Sequence, residues 1–254
     1  MWKLLLALSF ISISARATES LPAFCERLDK SLRHFQKSQA TCNLPENPRL
    51  PYQMATYEGQ TGTVMSEQDA QKLFKDLKSH SEIPYEFSYG GCEYRAHAMV
   101  QIMREKGITP LKAFAVVDLK TTNVLTAPHP KKKNQSIQWK YHTTPLILVE
   151  KNGKIEPYTL DPSLESQAVP VSKWKSDMIR HNPKTVAEIR IAPAHQLLPE
   201  AGKSPLDFND KAFDKDVAET LKRYKQWASD PDGEEKYRDE IEYNERQSQR
   251  MDSY

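Results

Sequence analysis

Three residues of this chain carry the types and spacing of a nucleophilic site: Cys92, His142 and Asp161. Cys92 follows Gly90-Gly91 and opens a stretch with helical periodicity. At a helix start, free backbone N–H groups and the helix dipole stabilise a thiolate, the reactive form of cysteine. Two glycines immediately before it let a substrate or a neighbouring backbone approach closely. His142 sits in an apolar run and Asp161 at the end of the next one, with Asn152-Gly153, a tight hairpin turn, between them. A hairpin closed there pairs residues whose numbers sum to about 305. That pairing brings His142 opposite position 163, beside Asp161, as in a base oriented by a carboxylate. Each residue also has a plain alternative: an inert buried thiol, a core histidine, and a turn-forming Asp-Pro.

The elements that must position these residues follow from periodicity and punctuation. Ser66-Glu67-Gln68-Asp69 resembles a capping box, with Ala70, Leu73, Phe74 and Leu77 as the buried face of the helix behind it. Ile83–Tyr89 reads as extended. Cys92–Lys106 reads as a helix closed by Gly107, its inward face Ala96, Met99, Val100 and Met103. Strands are expected over 111–119, 139–150, 154–160 and 186–191, with a polar loop over 120–138. Residues 43–63, rich in Pro, Asn, Gly and Thr, read as an irregular connection, and the chain is helical and charged from about 210. Helices followed by hairpin-linked strands indicate an α+β domain on an antiparallel sheet.

Composition narrows the function classes. The chain has 254 residues, a formal charge of +2, and 36 basic against 34 acidic side chains, too balanced for a nucleic-acid binder. Residues 1–17, MWKLLLALSFISISARA, have the charged start, short apolar core and Ala15-Arg16-Ala17 cleavage signal of a secretory leader. Without it the remaining chain is neutral, and no later apolar run approaches membrane-spanning length. That neutrality is uneven. Residues 207–254 hold 14 acids and nine bases, a charge of −5, and residues 18–206 a charge of +5. The ordinary reading is a solvated helix with charge pairs along it. A sharper one is an acidic tail docked on a basic catalytic region, limiting access to its cleft. Export favours oxidation of thiols, so Cys25 and Cys42 could close a short loop, leaving Cys92 over. No metal-ligand spacing or phosphate-binding loop occurs, so no cofactor is expected.

The segments around the three residues resemble the bacterial protein-glutaminases, secreted enzymes that deamidate glutamine side chains in proteins. The resemblance lies in Gly91-Cys92-Glu93-Tyr94-Arg95-Ala96-His97-Ala98-Met99-Val100-Gln101-Ile102-Met103, in Trp139-Lys140-Tyr141-His142 with Leu146–Val149, and in Leu160-Asp161-Pro162-Ser163-Leu164. The blocks stand in the family's order and the match covers about 66–200. It implies a papain- and transglutaminase-like core in which the Cys92 helix packs on an antiparallel sheet, with Cys92 as nucleophile, His142 as base and Asp161 as its orienter. It also implies an open, shallow cleft and, as partners, proteins or peptides bearing exposed glutamine. Gly90, Gly91, Trp139, Tyr141 and Ser163 are the further cleft candidates. Trp139 either lines the cleft or fills the core, Arg95 pairs with an acid, and His97, on the wrong helix face for a base, is structural. Lys131–Lys133 read as a solvated loop, with attraction of acidic substrates as the alternative. The expected organisation is a leader (1–17), an N-terminal helical and irregular region (18–65), a catalytic domain (66–206) and a charged helical extension (207–254). Transglutaminase-like acyl transfer, papain-like peptide cleavage and an inactive secreted binding protein are the rival readings. The sequence leaves the oligomeric state open.

Overall fold

A computed structural model describes residues 52–251 apart from Ser88, Leu119, 130, 131, 133 and 200–209, with side chains followed to Tyr243. The leader at 1–17, the helical spacing over 20–39, the Cys25–Cys42 pair, Lys131 and Lys133 lie outside the described residues. The first described elements are two strands where an irregular connection was expected: β1 (Gln53–Tyr57) and β2 (Gln60–Ser66). Glu58 and Gly59, both with positive φ, form the two-residue turn that joins them. Five residues with only Ala55 and Tyr57 half-buried conceal the strand from a periodicity reading, and its pairing with β2 holds it extended.

Helix α1 (Glu67–Ser79) starts as its sequence demands. Ser66 Oγ accepts the Asp69 N–H at 3.1 Å, and Ala70, Leu73, Phe74 and Leu77 are buried. Residues 80–87 are a run of turns rather than extended chain. Ile83 N–H bonds to His80 O and Phe87 N–H to Pro84 O, while the Ile83 and Phe87 side chains anchor the segment in the interior. Helix α2 (Cys92–Glu105) follows. Gly107, with φ +74, ends it in the left-handed conformation that glycine takes without a Cβ penalty.

Strand β3 (Leu111–Val117) leads into a small separate ribbon, β4 (Leu125–Pro128) with β5 (Ser136–Trp139), in place of the expected loop. Trp139 therefore belongs to the ribbon, and β6 (Tyr141–Lys151) begins two residues later. Asn152 and Gly153, at φ +53 and +72, turn β6 into β7 (Lys154–Thr159). Their register runs from Lys151↔Lys154 to Leu146↔Thr159, the expected sum of 305. The rest is β8 (Val169–Pro170), α3 (Val171–Ile179), β9 (Ala187–Pro193), and two C-terminal helices, α4 (Lys211–Ser229) and α5 (Gly233–Met251).

The main sheet has the order β1-β2-β6-β3-β9, with β7 on β6 and β8 on β7. Every pair is antiparallel except β2–β6, a parallel pair that the hairpin pattern did not foretell. Both faces are covered. Leu73, Phe74, Met99 and Met103 pack on one, and Trp174, Met178 and Leu125 on the other. A doubly covered strand is apolar throughout, which explains the unbroken Leu146–Val149 run in β6. Burial of each such side chain contributes about 1.5–3 kcal/mol.

Candidate active site

The β6–β7 hairpin delivers the imidazole to the carboxylate. Beyond the last ladder pair the chain continues through Leu160, whose N–H bonds to Pro145 O, and Asp161 turns back to β6. His142 Nε2 and Asp161 Oδ2 are 2.8 Å apart, and both residues are 2% exposed. Asp161 also forms the turn that its Asp-Pro context suggested, since Oδ1 accepts the Ser163 N–H at 3.1 Å. Oδ2 takes a second donor, the indole N–H of the fully buried Trp174, at 2.8 Å. Burial by itself would raise the Asp161 carboxyl. The charge and hydrogen bond of the His142 ring, with the Trp174 donor, outweigh it and hold Asp161 below the usual range. An ionised Asp161 can only accept, so Nε2 carries a proton, and the neutral form of the ring has its lone pair on Nδ1. Nδ1 is buried and has no hydrogen-bond partner. Trp139 and Trp174 lie against the ring, with centroids at 5.2 and 5.7 Å.

The sulfur of Cys92 lies beside the same strand, near the backbone N–H of Thr143, the residue after His142. Gly91 caps α2 at φ +70, a conformation costly for any other residue. Arg95 does not pair with an acid. Its guanidinium is buried and donates to Phe87 O at 2.6 Å and Gly90 O at 2.8 Å, bracing the turn ahead of the cysteine. Glu93 Oε2 accepts from the Cys92 thiol at 3.4 Å and from Tyr141 Oη at 3.3 Å. Burial, then the Glu93 carboxylate, push the thiol well above its usual value. The Arg95 charge and the Thr143 N–H oppose this without overcoming it. A helix start alone therefore does not ionise Cys92.

The site is covered, not open. Cys92 is 6% exposed. Helices α4 and α5 lie over it: a Cβ on Gly91 would overlap the Tyr224 ring, and one on Gly90 the Tyr237 hydroxyl. Burial pushes the Tyr237 phenol up to about 12, with the Glu93 and Cys92 charges adding to the effect. Lys132, expected as part of a solvated loop, is exposed and pairs with Glu234 of α5 at 2.7 Å. His97 is buried on α2, bonded to Asp214 of α4 at 2.9 Å, a structural role on a face away from the thiol.

Residues 70–178 match the family model described as Glutaminase, a span that includes Cys92, His142 and Asp161. Among solved structures, the chain is similar to a protein-glutaminase crystal structure at TM-score 0.50 and 19% identity, covering 64% of this chain and 91% of that one. It is similar to the protein-glutaminase from Chryseobacterium proteolyticum at TM-score 0.50 and 20% identity, covering 63% and 88%. A pro-protein-glutaminase structure gives TM-score 0.51 and 21% identity over 67% and 63%. No curated protein matches the chain. The fold is that of the protein-glutaminases.

Within this protein-glutaminase fold, each further cleft candidate makes a contact at the turn ahead of Cys92, at its neighbour Glu93 or at the His142–Asp161 pair. Gly90 and Gly91 lie under the C-terminal helices, Trp139 stacks on His142, Tyr141 bonds to Glu93, and Ser163 supports Asp161. Sequence reasoning missed Trp174, because the short helix that carries it has no distinctive pattern. It also missed Glu93 and Arg95 as neighbours of the thiol, although their adjacency to Cys92 was a usable signal. Among the described residues no group of three or more His, Cys, Asp or Glu side chains is set to hold a metal. None of the described helices is long and apolar enough to cross a membrane.

Proposed function

We propose that this protein hydrolyses the side-chain amide of protein-bound glutamine to glutamate and ammonia. The observation that carries the proposal is the buried His142–Asp161 pair, which leaves Nδ1 free to take a proton beside a cysteine at a helix start. His142 takes the Cys92 proton and the thiolate attacks the carboxamide carbon. The oxyanion forms near the backbone N–H groups of the first turn of α2, where one donor is typically worth about 3–4 kcal/mol. His142 returns the proton to the departing ammonia, leaving a thioester. It then activates a water molecule that releases glutamate and regenerates the thiol. Asp161 holds the tautomer, and Trp174 holds Asp161. The family match over 70–178 favours deamidation over peptide cleavage and acyl transfer. The leader-like sequence of residues 1–17 supports work outside the cytoplasm, on proteins with exposed glutamine.

Incubation of the purified protein with a glutamine-containing protein tests this reading by four measurements: ammonia release, amide-to-acid mass change, cross-linking and chain cleavage. Ammonia and the mass change alone, abolished in Cys92→Ala, are expected. Cross-links or fragments in their place would sink deamidation, and undiminished ammonia release from Cys92→Ala would sink the thiol mechanism. A folded wild type inert on every substrate would support the binding-protein reading.

A further inference from the structure

We propose that the α4–α5 hairpin sits on the face by which this protein takes its protein substrate, so that hairpin and substrate exclude one another. The hairpin's contacts then mark the substrate: an aromatic side chain beside the glutamine and an acidic residue one helical turn before it. This inference rests on the deamidase reading above.

The φ of Gly90 is ordinary, so its backbone would accept a side chain, but a Cβ there would overlap Tyr237. The space ahead of the nucleophile is therefore occupied by a ring that arrives from α5. Below it lies an aromatic floor. Phe87 stacks on Tyr224 with centroids at 4.7 Å and meets the edge of Tyr237 at 5.4 Å, and Tyr89 closes the side at 5.7 Å. Trp227 packs behind Tyr224 at 5.7 Å. Polar contacts frame this patch. Glu234, three residues before Tyr237 and on the same helical face, bonds to Lys132 at 2.7 Å, and Asp214 bonds to His97 and Gln101. The charges agree with the contacts: −5 on residues 207–254 against +5 on residues 18–206.

A reacting carboxamide must come within about 3–3.5 Å of the sulfur. With Cys92 and His142 buried, no side chain of a folded protein reaches that distance while the hairpin is seated. A substrate that displaces it meets the Phe87 and Tyr89 rings and the same lysine, so side chains resembling Tyr237 and Glu234 are favoured there. The raised thiol pKa is consistent with a dormant nucleophile in the covered state.

The test uses the full chain. Cys92 alkylation by iodoacetamide is followed by peptide mass mapping, which separates it from Cys25 and Cys42, in wild type, Tyr237→Ala and Lys132→Glu. Tyr237→Ala should label about tenfold faster, the scale of one aromatic pair. Lys132→Glu, at an exposed position that leaves folding intact, should label about two- to threefold faster, as befits a surface ion pair. Equal labelling of all three proteins would overturn the covering. Ammonia release is then compared for glutamine peptides with an adjacent tyrosine and a glutamate three residues before it, and for the same peptides with alanine and lysine there. Faster release from the first set is expected, and equal rates would overturn the substrate assignment. Faster labelling with no ammonia from any peptide would leave the hairpin's covering role standing and discard the deamidase reading.

Discussion

Asp161 uses both oxygens and so serves two masters, the turn after β7 and the ring of His142. Asp161→Asn keeps the shape but can donate to Nε2 and so favours the wrong tautomer. Turnover should fall by about four orders of magnitude, as in comparable triads, with the fold unchanged by circular dichroism. Trp174→Phe removes only one donor to Oδ2 and should cost about 1 kcal/mol, read as a drop of roughly fivefold in kcat/KM. Lys112 is a second buried group with consequences. Its ammonium has no exposure and bonds to Gln196 O at 2.8 Å, and burial pushes its pKa down to about 7 from 10.5. The unfolded chain keeps that proton to higher pH, so from about 7 to 10.5 the unfolded state binds more protons and stability rises with pH. Below about 7 the full cost of the buried charge is felt. Lys112→Met should raise the urea midpoint at pH 6 and flatten the rise between pH 7 and 10, measured by denaturant unfolding across that window.

At the scale of elements, the β6–β7 hairpin is the device that makes the site. Its register depends on Asn152 and Gly153, both at positive φ. A Cβ on Gly153 would meet nothing within 4 Å, so Gly153→Ala tests backbone strain alone. A loss of about 1–2 kcal/mol in unfolding free energy is expected, with kcat unchanged if the register survives. This hairpin was legible in advance because turn chemistry and the two-residue period are local. The β4–β5 ribbon and β1 were not legible: their strands are four or five residues long and held by pairing partners. Residues 83–89 were misread for the related reason that Ile83 and Phe87 are buried from a turn, where apolar spacing no longer reports backbone shape.

Across the whole molecule, the hairpin of α4 and α5 is joined to the core through aromatic rings and a few ion pairs, whereas β3, β6 and β9 lie in the sheet with both faces covered. Native-state hydrogen exchange should show residues 211–243 opening well before the central strands, as a separate cooperative unit. Equal protection in both would argue that the hairpin never leaves the site without global unfolding.

The sequence by itself determined the chemistry of the site: a cysteine at a glycine-led helix start, and a histidine and an aspartate brought together by one hairpin. These depend on contacts within some twenty residues along the chain, which turn chemistry and periodicity record. It also recorded the charge split between the two parts of the chain. Only the tertiary structure decided that Trp174 holds Asp161, that Arg95 braces backbone carbonyls, and that Tyr224 and Tyr237 close over the thiol. The physical reason is that burial is a property of the assembled molecule. Packing α4 and α5 on α2 excludes water from Cys92 and reverses the thiolate stabilisation expected from its helix start alone.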